Sequence, residues 1–276
     1  VTGATIDGSK RVVLCDLDGV VWLSHQPIPG SVDAIAALRA AGHRVLFVTN
    51  NSSARVEAQE AALAAIGIPA TGDVLTSANA AALLIFPGER VMVCGGEGVA
   101  QAVRSRDAVV VDEHATGAEA TVDAVIVGFH RSFDYDAMMR ASTAARDGAR
   151  LIGTNDDATY PTPEGPIPGG GAILAAVVTA AGVVPTIAGK PYEPMAALVR
   201  ATVGDAAARN AVMVGDRPST DGRMAEVLGC LYAHVESGIT APGTIVDPAP
   251  ALVAADLAEV AKVLVAGRFP GSKVQP

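Results

Sequence analysis

Asp16 and Asp18 stand two residues apart where the apolar run Val12 to Cys15 ends, and Gly19 follows them. On a strand, side chains two apart point the same way. Both carboxylates are therefore expected to leave one strand's carboxyl end together, while Leu17 turns into packing. Carboxylates crowded at one point repel unless a cation or a shared proton relieves them. Three further strand ends carry reactive groups. In VLFVTNNSS (Val45 to Ser53), a strand runs into the Thr49 hydroxyl and the Asn50 and Asn51 amides where a helix is expected to begin. The free N–H groups of a helix start attract anions, and Thr49 can donate to a phosphate oxygen; the same residues would serve equally as a helix cap. Gly189-Lys190-Pro191 holds a central lysine, the others being Lys10, Lys262 and Lys273. Its compact charge suits an anion or plain solvent. In VMVGDRPSTD (Val212 to Asp221), Asp216 closes a strand and Asp221 opens a helix, as an N-cap or as a ligand. Carboxylate oxygens with waters and phosphate oxygens are what Mg²⁺ prefers. Carboxylates, a hydroxyl and a lysine together fit phosphoryl transfer, where positioning and charge neutralisation do most of the work.

The elements that must position these groups alternate. β-rich runs are expected at Arg11–Asp16, Arg44–Thr49, Arg90–Cys94, Ala108–Asp112, Ala124–Phe129, Arg150–Thr154, Thr186–Ala188, Ala211–Gly215 and Leu231–His234. Helices are expected at Ser31–Ala41, Ser53–Ile66, Ser77–Leu84, Gly98–Ser105, Tyr135–Asp147, Gly171–Ala181, Pro194–Val203, Asp221–Leu228 and Ala254–Val265. Ser31 and Ser53 are the expected N-caps, and Gly42 and Gly67 the expected stops. The pattern is that of an α/β fold with a mainly parallel, Rossmann-like sheet, which keeps its site at the strands' carboxyl edge. Faint breaks at Phe86-Pro87-Gly88 and near Val184-Pro185 enclose a run with strands and helices of its own, an inserted domain.

Composition limits the function classes. The 276 residues suffice for one well-buried domain and a smaller second one. A net charge of −9 argues against nucleic acid or an anionic membrane as the main partner, though a bound cation can reverse the field inside a pocket. Cys15, Cys94 and Cys230 are scattered without metal-site spacing, and Cys15 reads as a small apolar filler. The first ten residues lack the regions of a signal peptide. The run Gly171 to Val184 is shorter than the roughly 20 residues a bilayer needs and reads as a buried helix. A reduced, soluble, cytoplasmic protein is expected.

These motifs, in this order, resemble the haloacid dehalogenase (HAD) superfamily of aspartate-nucleophile phosphatases. TNNSS, GTNDDATYPTPEGPIPGGG, GKP and GDRPSTD resemble its NagD and 4-nitrophenylphosphatase-like branch, and the match runs from Val12 to about Val235. The resemblance implies a catalytic core at residues 1–85 and 186–276 and a C2-type α/β cap at 86–185. Asp16 would be the nucleophile, and Asp18 the acid for the leaving oxygen and then the base for water. Thr49 and Lys190 would hold the phosphoryl oxygens, with Asn50 beside them. Mg²⁺ would take the Asp16 carboxylate, the Asp18 carbonyl and Asp216, with Asp221 direct or through water. The loop Asn155 to Gly171 would close over the leaving group, with Tyr160 and Thr162 where the family reads its substrate. Alternatively, Pro161, Pro163, Pro166 and Pro168 merely stiffen a surface loop. Implied partners are a small phosphorylated metabolite (of sugar phosphate, glycerol phosphate, phosphoglycolate, nucleotide or pyridoxal phosphate type) and a homodimer through the cap. A phosphotransferase or mutase, or a metabolite-binding protein, would use the same residues.

Pro218-Ser219 and Gly222 depart from the family's usual last motif, while Asp216 and Asp221 keep it. His130 replaces an expected aspartate and is assigned to a cap surface or interface, or else to substrate reading. Gly95-Gly96-Glu97-Gly98 is not a dinucleotide fingerprint, because position 101 is Gln. Gly189-Lys190 is not a Walker loop, since Pro191 follows it. Asp112-Glu113-His114 reads as an exposed charged turn.

Overall fold

Short runs of β-branched residues buried on both faces read as parallel strands, and alanine-rich stretches between them as covering helices. A computed structural model of the protein, describing residues 10–117, 121–160, 162, 165–241 and 243–270, has this alternation. The elements in chain order are β1 (Val12–Cys15), β2 (Trp22–Leu23), β3 (Gln26–Pro27), α1 (Ser31–Ala40), β4 (Arg44–Thr49), α2 (Val56–Ala65), β5 (Val74–Thr76) and α3 (Ser77–Ala82). Then come β6 (Arg90–Cys94), α4 (Glu97–Arg104), β7 (Val109–Asp112), β8 (Ala124–Val127), α5 (Tyr135–Arg146), β9 (Arg150–Gly153), β10 (Thr159–Tyr160), β11 (Ile167–Pro168), α6 (Gly170–Ala181) and β12 (Thr186–Ile187). The chain closes with α7 (Glu193–Val203), α8 (Asp205–Arg209), β13 (Val212–Gly215), α9 (Arg223–Leu228), β14 (Leu231–Val235), β15 (Leu252–Ala254) and α10 (Leu257–Val265).

The larger sheet has the order β15-β14-β13-β1-β4-β5. β1 pairs in parallel with β13 on one side and β4 on the other, so the chain reverses its direction of travel across the sheet at β1. Ligands of open α/β sheets bind at such a switch point, beyond the strands' carboxyl ends. The second sheet, β12-β9-β8-β6-β7, is parallel at every pairing. Packing divides the chain into two compact units: residues 1–48, 60–74 and 199–276, and residues 49–59 and 75–198. In the first, Val13, Leu14, Val45, Leu46, Val212 and Val214 are buried strand residues. In the second, Met92, Val125, Val127 and Leu151 pack with Ile173, Leu174 and Val177 of α6.

Several local expectations are corrected. Ser31 is the first residue of α1, not its cap: Gly30 occupies that position at φ 83°, and the Ser31 hydroxyl donates to Val21 O. α2 starts at Val56, because Asn51 Oδ1 accepts from both the N–H and the hydroxyl of Ser53 and holds a turn there. Asp221 does not open a helix; Pro218–Gly222 form a wide, five-residue turn before α9. The last helix starts at Leu257, capped by Asp256, and its expected first residue instead ends the edge strand β15. Gly42 and Gly67 stop their helices at φ 86° and 92° as expected. No helix among the described residues is long and apolar enough to cross a membrane.

Candidate active site

In the first unit the switch point gathers the carboxylates. The Asp16 N–H donates to Val214 O at 2.9 Å, carrying the β1–β13 pairing one residue past the end of β1. Asp18 is fixed by the hairpin that follows: it bridges to Trp22, and the Gly19 N–H donates to Trp22 O at 2.8 Å. Asp216 follows β13, and Asp221 lies in the wide turn, both buried. One carboxylate oxygen from each of Asp16, Asp216 and Asp221 falls within 4.8 Å of the other two. Each also takes a main-chain N–H: Leu17 on Asp16 Oδ1 (2.8 Å), Ile239 on Asp216 Oδ2 (2.8 Å) and Arg217 on Asp221 Oδ2 (3.1 Å).

Two buried carboxylates and a third beside them form a concentrated negative field of hard oxygen donors, the donor set that Mg²⁺ prefers. Tyr232 reports the field: burial, then the charges of Asp221, Asp216 and Asp16, push its phenol above the ordinary range. The residues therefore fit a divalent cation. The glycines around them are required by space. A Cβ at Gly19 (φ 86°) would lie 2.6 Å from Asp216 Cγ, one at Gly215 2.2 Å from Asp221 Cγ, and one at Gly238 1.9 Å from Asp216 Oδ2. The loop after β14 was missed by the sequence reading. Ser237 Oγ donates to Gly19 O and Thr240 Oγ1 to Asp216 O, beside the Ile239 N–H bond. A polar ESGIT run directly after an apolar strand was its one sequence signal.

Thr49, Asn50, Lys190, Tyr160 and Thr162 belong to the second unit. Thr49 is the last residue of β4 and is buried, and its Oγ1 accepts from the Asn51 N–H. Lys190 is 1% exposed, unlike a solvated loop lysine. Lys190 N–H donates to Asn50 Oδ1 (2.8 Å), and Asn50 Nδ2 donates back to Lys190 O (3.1 Å) and to Asp157 Oδ2 (3.0 Å). Asn50 O accepts from Asn155 Nδ2 and Ser77 Oγ. Tyr160 is half-buried, stacked on Phe129 with centroids 5.0 Å apart, and its hydroxyl accepts from Asn51 Nδ2. Thr162 is half-buried, and its hydroxyl donates to Gly165 O. Pro161, Pro163 and the tail at 271–276 lie outside the described residues.

Two readings at the carboxyl edge of the second sheet are corrected. Asp112 and His114 are exposed as expected, but Glu113 between them is only 8% exposed. The His130 side chain is 7% exposed, enclosed rather than displayed, with Nε2 3.0 Å from Glu113 Oε2 and Nδ1 3.1 Å from Gly128 O. Burial lowers the affinity of His130 for a proton, but Glu113, the Gly128 carbonyl and Asp134 together raise its pKa above the ordinary value. The Gly95–Gly98 glycines serve packing. A Cβ at Gly96 or Gly98 would fall 2.3 Å from Ser53 O or 2.1 Å from Ala54 O, and the Gly98 N–H donates to Ser53 O.

Comparison with known proteins adds a family. A model of haloacid dehalogenase-like hydrolases matches residues 13–108, and a second, HAD-hydrolase-like model matches residues 187–260. An acid sugar phosphatase of Staphylococcus saprophyticus is 33% identical, aligned over 92% of this chain and 98% of its own length. A D-glycerol 3-phosphate phosphatase of Mycobacterium tuberculosis is 38% identical over 82% of this chain, which spans 63% of that protein's length. The glycerol phosphate phosphatase of that organism, solved in complex with magnesium, superposes with a TM-score of 0.80 at 33% identity, over 93% of this chain and 78% of that one. A p-nitrophenyl phosphatase from Archaeoglobus fulgidus superposes at 0.83 with 27% identity, over 92% of this chain and 99% of its own.

Proposed function

The chain belongs to the haloacid dehalogenase-like hydrolases, and from that premise we propose that it is a Mg²⁺-dependent phosphomonoester hydrolase of small phosphorylated metabolites. The observation that carries the reading is the convergence of Asp16, Asp216 and Asp221 at the sheet's switch point. We assign residues 1–85 and 186–276 to the catalytic core and 86–185 to the cap; β6, β7, β8 and β9 all fall within the latter range.

In this reading the Asp16 carboxylate attacks phosphorus, and the bond to the leaving oxygen breaks. Asp18 gives that oxygen its proton, then takes a proton from the water that splits the aspartyl-phosphate, releasing phosphate and restoring Asp16. Asp16 and Asp216 would hold Mg²⁺ with the Asp18 carbonyl, and Asp221 directly or through water; the ion would supply charge neutralisation for the phosphoryl group. Thr49 and Lys190 hold the phosphoryl oxygens, with Asn50 beside them. Tyr160 and Thr162 contact the substrate's organic part. The named relatives favour sugar phosphates and glycerol phosphate as the first esters to try. A cytoplasmic location fits three free cysteines, and a homodimer through the cap is tested by sedimentation of the full chain.

The test is phosphate release from a panel of small esters and 4-nitrophenyl phosphate, beside Asp16→Asn. Wild type should turn over with Mg²⁺ and stop in excess chelator, while Asp16→Asn falls by about three orders of magnitude or more with its melting temperature kept. Normal turnover by Asp16→Asn would remove the nucleophile from the reading, and full activity in chelator would remove the metal.

A further inference from the structure

The bonds of the Asn50 carboxamide assign it a different task from phosphate binding. A phosphoryl oxygen is an acceptor, so the only side-chain atom of Asn50 it can bond is Nδ2, which has two hydrogens. Both are committed, one to Lys190 O at 3.1 Å and one to Asp157 Oδ2 at 3.0 Å. The amide's orientation is not open to exchange. The Lys190 main-chain nitrogen can only donate, so the atom 2.8 Å from it must be Oδ1, and the atom facing two acceptors must be Nδ2. Asn50 thus closes a reciprocal pair of bonds with the main chain of Lys190.

The surroundings are shaped to keep that pair. Asn50 O accepts from Asn155 Nδ2 at 2.8 Å and from Ser77 Oγ at 2.7 Å, so its main chain is pinned from two directions. Asn155 is itself buried, and its Oδ1 accepts the Asp157 N–H, which sets the carboxylate that Asn50 reaches. Residue 189 must be glycine, since a Cβ there would lie 2.5 Å from Asn50 Oδ1 and 2.6 Å from Thr154 O. One polar cluster therefore joins the segment after β4, the loop after β9 and the lysine loop, all inside the second unit.

We propose that Asn50 is a positioning residue: its side chain, set by Asp157 and Asn155, holds the main chain of Lys190 so that the lysine is presented to phosphate, and it does not bond phosphate itself. This rests on the reading that Lys190 is a phosphate ligand. It makes Asp157 and Asn155 determinants of phosphate affinity, a role the sequence did not suggest.

The test is the inhibition constant of inorganic phosphate against 4-nitrophenyl phosphate for wild type, Asn50→Ala, Lys190→Ala and the double variant, with folding checked by circular dichroism. Asn50→Ala should weaken inhibition about tenfold or more, Lys190→Ala at least as much, and the double variant no more than Lys190→Ala alone, as for groups acting as one unit. Multiplying effects in the double variant would mean that Asn50 bonds phosphate directly, and would overturn the proposal. So would an unchanged constant in Asn50→Ala beside a weakened one in Lys190→Ala, which leaves the lysine reading standing. An unchanged constant in Lys190→Ala would overturn the lysine reading and the proposal with it. Should Asn50→Ala fail to fold, Asp157→Ala removes only one of the three side-chain bonds. It should weaken inhibition about threefold or more in the wild-type background and not at all in Lys190→Ala; equal weakening in both would overturn the proposal.

Discussion

Asp216 is gripped by single atoms, and that grip decides how much freedom its carboxylate has within the cluster with Asp16 and Asp221. Its Oδ2 takes the Ile239 N–H, its main-chain oxygen takes the Thr240 hydroxyl, and Gly238 lies against the carboxylate so closely that a methyl group would overlap Oδ2. Gly238→Ala must therefore push either the loop or the carboxylate aside. It should cost about 1–3 kcal/mol of stability, as overpacking does, and weaken Mg²⁺ binding about tenfold. Thermal unfolding with a Mg²⁺ titration checks both effects; unchanged Mg²⁺ affinity would show that the loop does not set the ligand. His43 makes another single-residue case. The Arg11 N–H donates to its Nδ1, so that nitrogen must stay unprotonated, and burial foremost holds its pKa below the ordinary value. Below about pH 6.5 the unfolded chain takes up a proton that the folded one resists, so stability falls with falling pH until the folded group titrates too. The drop in melting temperature from pH 7 to 5.5 should be smaller in His43→Gln than in wild type; equal drops would clear His43.

At the scale of elements, ends matter more than middles. α3 is capped by Thr76, whose hydroxyl oxygen accepts from the Asn79 N–H while the Asn79 side-chain oxygen accepts the Thr76 N–H. That is a complete capping box on a helix of only six residues. Thr76→Ala should lower stability by about 1 kcal/mol, and Thr76→Ser far less; equal losses in equilibrium denaturation would put the cost on packing of the methyl group instead. The start of α4 shows the opposite device, an N-cap glycine that makes no side-chain capping bond. Gly96 and Gly98 let it lie on the Ser53 and Ala54 main chain, which continues from Thr49 and Asn50. Around this contact, Arg55 pairs with Glu97, and Gln101 accepts the Val56 N–H through its side chain.

For the whole molecule, the division into two units parts the candidate site residues. The carboxylates Asp16, Asp216 and Asp221 belong to one unit, and Lys190 with Asn50, Asn155 and Asp157 to the other. His130 gives the second unit its own pH dependence. Both ring nitrogens face oxygen atoms, one a carbonyl and one the Glu113 carboxylate, so the imidazolium form satisfies both contacts. Its raised pKa means that this stabilisation is complete below about pH 6.5 and is lost as pH rises through the folded value. His130→Gln should therefore destabilise the protein more at pH 6 than at pH 8.5. A pH-independent difference between the two melting curves would assign His130 a packing role only.

What the sequence by itself determined was everything local or ordered along the chain. Apolar runs marked each long strand, and the i, i+2 aspartates, Thr49, Asp216 and the central Lys190 marked the candidate site residues at or just after strand ends. The order of the motifs identified the family. β12 apart, elements of two or three residues, such as β5, β15 and the hairpin strands, escaped it because so short a run has no periodicity to read. The caps went wrong at Ser31 and Ser53 because a competing partner, Val21 O or Asn51 Oδ1, lies in the folded chain or its turn rather than in the helix itself. Only tertiary structure decided that Glu113 and His130 are enclosed, that the loop at 237–240 serves Asp216, and that Asn50 is saturated by Lys190 and Asp157, 140 and 107 residues away. A side chain's type states what it can bond, but which atoms use up its donors depends on chain segments that meet only when the sheets are built.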